Sequence, residues 1–204
     1  MTPTRLYFLS ITLLALSACQ NSATPNKNTI QSETSAEEPM ETKTALERGK
    51  EAAHEARGAL LSQVSMALQQ GGPAYAVSYC NLKATGIADS VGKLHQAEIS
   101  RIARRHRNPK NFIETPADSA VYAQFEATQA AGNSPQAVVK ETAAGRYFYQ
   151  PIMLKLEACL KCHGTPNKQV KPKTLEAIAQ AYPNDKAVNF ALGDLRGAWK
   201  IKLN

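Results

Sequence analysis

GAWKIKLN, residues 197–204, alternates Trp199, Ile201 and Leu203 with Lys200 and Lys202, the period-two pattern of a β-strand with one face on a core and one in water. RYFYQPIML at 146–154 is aromatic-rich and apolar, and EISRIAR at 98–104 is a weaker strand candidate. Helical signals dominate the earlier part of the chain. Ala56, Leu60, Leu61, Val64 and Leu68 recur at helical spacing and predict an amphipathic helix from about Ala45 to Gln70, ended by Gly71-Gly72-Pro73. A second helix is expected from Ala74 to about Val91, with Val77, Cys80, Ala84, Ile87 and Val91 on one inward stripe. Asp118–Gly132 and Thr174–Ala181 read as shorter helices. Helices first and strands interleaved later make an α+β domain.

The N-terminus addresses the compartment. Arg5 and the apolar run LYFLSITLLALSA form a secretory signal over residues 1–18, and Leu16-Ser17-Ala18-Cys19 resembles a bacterial lipobox. Cys19 is therefore the expected lipidation site, tethering the protein to a membrane through its lipid alone. The expected location is the periplasm. Gln20, rather than Asp, follows the lipid cysteine and favours the outer over the inner membrane. Residues 19–43 are polar, contain Pro, and have too little apolar surface to offset the entropy of ordering, so they read as a disordered tether. The folded domain is expected over residues 44–204.

The formal charge is +7, with basic clusters at Arg101, Arg104, Arg105, Arg107 and Lys110 and at Lys161, Lys168, Lys171 and Lys173. Nucleic acid is an unsuitable partner for an exported protein. An anionic ligand, an acidic protein partner or a membrane surface suits these clusters, the alternative being a solvated face; a redox partner, if acidic, would dock through residues such as Lys161 and Lys168.

Cys80, Cys159 and Cys162 are left after Cys19. Cys159, Cys162 and His163 have the spacing C-x-x-C-H, the haem c attachment signature. Two thiols add across the porphyrin vinyl groups, and the adjacent imidazole becomes the proximal iron ligand. One covalent haem c is expected. A zinc site would need further ligands at regular spacing, and Cys80, His95 and His106 are isolated from one another. No His, Met or Cys follows His163. A distal ligand of those types comes from Cys80, His54, His95, His106, Met66 or Met153, or the position is open.

Further segments carry a resemblance: Arg107-Asn108-Pro109 with Asn111, the strand RYFYQPI, CLKCHG, Tyr182-Pro183-Asn184-Asp185-Lys186-Ala187, and Gly193-Asp194-Leu195-Arg196-Gly197-Ala198. From about Leu46 onward the chain resembles the Tll-type c-haem domain family, bacterial domains with a PAS-like fold, one member being cyanobacterial. The resemblance implies a PAS-like antiparallel sheet flanked by helices and preceded by a long N-terminal helix. It also implies His163 and Cys80 as axial ligands, with Cys159 and Cys162 as thioether donors. The segment after Glu114, TPADSAVYAQF, departs from the family pattern.

Arg104, Arg105 and Arg146 are candidate partners for the haem propionates. The functional expectation is electron transfer, or sensing of redox state or a small gas. No Gly-rich phosphate loop or nucleophile–base set accompanies the motif, so catalysis is not expected. The enzyme alternative is a peroxidase with an open distal site and His95 or His106 as acid/base. The third reading is a binding module whose haem is structural.

Overall fold

Gly71-Gly72-Pro73 decides the architecture. The computed structural model describes residues 43–204, in which α1 runs Ala45–Leu94 but leaves helical geometry at Gly71 (φ −151°, ψ 15°) and Gly72 (φ 70°, ψ −169°). Gly72 takes its positive φ without the Cβ clash of an L-residue, and Pro73 restarts the helix with a preset φ. The two arms fold back on each other. Tyr79 donates its hydroxyl hydrogen bond to Gln63 Oε1 at 2.6 Å, and His95 Nε2 lies 2.6 Å from Glu55 Oε2. At the start, Thr44 and Glu47 form a reciprocal capping box. Both expected helices are thus present, broken where the glycines stand. The signal segment, Cys19 and most of the tether lie outside the described residues.

Four strands, β1 (Ala97–Ile102), β2 (Val138–Thr142), β3 (Gly145–Met153) and β4 (Leu195–Leu203), form an antiparallel sheet in the order β1-β4-β3-β2. The GAWKIKLN strand is therefore central, hydrogen-bonded on both sides. β2 is an edge strand that sequence reasoning did not find, because VVKET is too short to show a clear alternation.

Helices cover both faces. Ala52, Ala53 and Ala56 of α1 pack on Phe148, Trp199 and Ile201. Small residues let this helix approach closely: a Cβ built on Gly49 would lie 2.2 Å from Phe148 Cγ. On the opposite face α2 (Pro116–Ala130) places Val121, Tyr122 and Phe125 against Ile102, Tyr149 and Ala198. This layer corrects the expectation that Lys200 faces water. Lys200 ion-pairs at 2.8 Å with Asp118, which is 2% exposed and also accepts from the Tyr149 hydroxyl at 2.7 Å. Two short helices, α3 (Glu157–His163) and α4 (Pro172–Ala181), complete the fold. Val77 of α1 packs with Val170 and Ile178 of the α4 region.

Gly49→Ala is expected to overpack the α1–sheet contact and cost about 1–3 kcal/mol, read from denaturant midpoints. Asp118 gives a pH signature. Burial raises its pKa, but hydrogen bonds from Lys200 and Tyr149 outweigh that and hold it below the usual carboxylate value. Its contribution is present above the unfolded-state pKa, about 4, and lost as pH falls through the folded value. Asp118→Asn should therefore lower stability at neutral pH and flatten the acid limb of a stability–pH series.

Candidate functional site

The hairpin of α1, strands β1 and β4 and helix α3 enclose one large cavity, with about 1570 Å³ of non-atom space including its open mouth. Its apolar wall comes from Leu60, Leu61, Val64 and Leu68 on the first arm of α1 and Ala76 and Val77 on the second. Helical periodicity puts these on the inner faces of both arms. Cys80 shares that stripe and lines the cavity, as do Cys159, Cys162 and His163 from α3. None of the three cysteines is in a disulfide. Leu61 and Leu156 line the cavity yet are 39% and 52% exposed, which locates its opening.

The motif helix is pinned from behind. His163 Nδ1 lies 2.8 Å from the Ala187 carbonyl, and Phe190 stands edge-on to the imidazole at 6.2 Å between centroids. An Nδ1–H donated to that carbonyl leaves Nε2 as the ligating nitrogen, a common way to orient a metal-binding histidine. The His163 and Gly164 carbonyls accept from Phe190 N and Asn189 N, both at 2.9 Å. Arg107 is the clamp. Its guanidinium pairs with Asp185 at 3.1 and 3.2 Å and donates to the carbonyls of Cys162 at 2.6 Å and Ala187 at 3.2 Å. Both partners are largely buried, with side-chain exposures of 11% and 8%.

Electrostatics follow from burial and from arginines. Burial pushes the Cys80 thiol up, against the downward pull of Arg101 and Arg107, and it raises Cys162 as well. Burial, with Arg196 and Arg107 nearby, holds His163 well below the usual histidine value and so in its neutral form, the one able to bind a metal. Two thiols and an oriented imidazole on one short helix, with a thiol on another helix lining the same cavity, fit the haem group that C-x-x-C-H implies.

The structure separates the other expected residues from this site. Arg104 pairs with exposed Glu126, Arg105 donates to the carbonyls of Val188 and Asn189, and Arg146 pairs with Glu141 in the β2–β3 hairpin. None lines the cavity, which corrects their reading as propionate partners: two follow the end of β1, and the third lies at the far end of β3. The cavity arginines are instead Arg57, Arg101, Arg107 and Arg196. Alternation along β1 was the available signal, since Arg101 shares a face with inward Ile99.

His95 is held by Glu55, and both line a surface hollow with His54. His106 packs edge-on to Phe112. Neither His95 nor His106 lines the cavity, so the peroxidase reading loses the acid/base it named. Met66 is exposed, and Met153 lines the cavity while packing toward the α2-side cluster.

Asp185→Ala would leave Arg107 without its carboxylate; the expected cost is about 3 kcal/mol in urea unfolding, with Lys161→Ala as an unaffected surface control.

Comparisons with known proteins bear on the fold and the family. A search of curated proteins finds no match. The crystal structure of the cyanobacterial heme-protein Tll0287 superposes with a TM-score of 0.60 at 23% identity, covering 79% of this chain and 96% of that one. A Tll0287-like family profile matches residues 20–204. The chain belongs to the Tll0287-like family.

Proposed function

We propose that this chain is a c-type haem protein, anchored by lipid at Cys19 on the periplasmic face of the outer membrane, that transfers electrons or senses redox state. The observation that carries the reading is the single cavity shared by Cys80, Cys159, Cys162 and His163. The family and the heme-protein named as its structural neighbour support haem as the ligand. When bound, the group supplies one-electron redox chemistry at iron. Cys159 and Cys162 hold it through thioethers, and His163 offers Nε2 from a ring fixed by the Ala187 carbonyl.

Cys80 offers the opposite ligand. A thiolate favours ferric over ferrous iron, so the reduction potential is low. Bound iron would offset the burial that otherwise raises the Cys80 thiol. Because Cys80 stands on the second arm of α1, a weaker hold on its thiolate in the reduced protein would couple an electron to the position of that arm. The cavity mouth at Leu61 and Leu156 is suited to electron exchange with a partner, and Lys161 and Lys168, both exposed, would serve to dock an acidic one.

The test is low-temperature EPR of the oxidised holoprotein beside Cys80→Ala. A low-spin thiolate signal in the parent, lost in the variant, is the expected result. A high-spin signal indifferent to Cys80 would refute the ligand assignment. Denaturing extraction should leave haem on the parent chain and release it from the Cys159→Ala/Cys162→Ala double variant.

A further inference from the structure

The cavity is lined by Arg57, Arg101, Arg107, Arg196 and Lys155 and by no aspartate or glutamate. Arg107 spends its donors on Asp185 and backbone carbonyls. Among the described residues, Arg101 and Arg196 form no ion pair. Arg101 extends from β1 over the Trp199 ring, 5.7 Å from its centroid. Arg196, at the start of β4, donates from Nη1 to the Arg105 carbonyl at 3.1 Å, while its Nε is buried without a hydrogen-bond partner.

Cations partly withdrawn from water without counter-charges are costly, and an orphaned guanidinium N–H adds to the cost. Both penalties are reduced if the cavity's occupant brings carboxylates. We propose that Arg101 and Arg196 bind the two propionate carboxylates of the haem, through charge-assisted hydrogen bonds that fix its rotation in the cavity. This rests on the haem reading above and replaces Arg104, Arg105 and Arg146 in that role. Their placement supports it, since Arg101 on β1 and Arg196 on the adjacent strand β4 line the one cavity. The mutual strain of the cluster also supports it. Burial, then Arg107 and Arg101, pull the Arg196 pKa down to about 10, and a bound anion would offset the repulsion from those two neighbours.

Guanidinium–carboxylate pairing is bidentate and directional, so lysine at either position keeps the charge but loses the fork. A nearby cation also favours the reduced iron and keeps its propionate ionised.

Resonance Raman spectra and redox titrations of the holoprotein test the inference. In Arg101→Gln and Arg196→Gln the propionate bending band should shift, and the midpoint potential should fall. That potential should also become pH-dependent across the neutral range, because a propionate without its guanidinium takes up a proton on reduction. Arg101→Lys should restore most of the potential but not the band position. If Arg196→Gln yields no holoprotein, Arg101→Gln and Arg196→Lys carry the test.

Bands and potentials unmoved in a haem-loaded Arg101→Gln protein would overturn the inference and leave the haem reading standing. A parent chain without haem would overturn both. Inorganic phosphate probes the other source of an anion, a free oxyanion. Saturable stabilisation of the parent holoprotein by phosphate, lost in Arg101→Gln with the propionate band unmoved, would assign the arginines to that oxyanion instead.

Discussion

The reversal of α1 at Gly71-Gly72 is the constraint from which the site follows. A straight helix over these residues would carry Cys80 far from Leu60 and Val64; with the break, both arms turn their apolar stripes toward one space. The backbone at Gly72 sits at φ 70°, where a Cβ is strained, so this turn depends on glycine. The first arm is fixed to the sheet by alanines and by Gly49 over Phe148, and the second by Val77 against Val170 and Ile178. Cys80 is thus held between two packed surfaces.

The opposite wall is organised by Arg107 together with the apolar cluster of Leu154, Leu160, Ala187 and Phe190. Its guanidinium joins the segment after β1, the C-terminal end of α3 and the Asp185–Ala187 loop, three pieces far apart in sequence. That loop then supplies the Ala187 carbonyl to His163. A buried ion pair contributes little net stability once desolvation is counted. Its consequence here is geometric, since the imidazole orientation is inherited from the clamp.

These two walls are held differently. His163 stands on a short helix tied by several hydrogen bonds, whereas the arm carrying Cys80 is held by the packing of Val77 and by the Tyr79–Gln63 hydrogen bond. Under the haem reading proposed above, a change in iron charge would act on a Cys80 thiolate more than on a neutral imidazole, and that arm would be the element to respond.

The sequence by itself determined the periodic features and the spacing of the motif. These are the two-arm helix with its glycine break, the strands at 146–154 and 197–204, the C-x-x-C-H motif and the inward direction of Cys80. Each is written in local spacing, which dihedral geometry translates directly into a face or a turn. Only the tertiary structure decided which arginines enter the cavity, that Lys200 is covered by α2, and that His95 and His106 lie elsewhere. Arg101, Arg104 and Arg105 are neighbours of one type in one cluster, and what separates them is where β1 ends and which face its pleat presents. Long charged side chains take their role from the partners that distant segments bring to them, and those pairings leave no periodic trace in the chain.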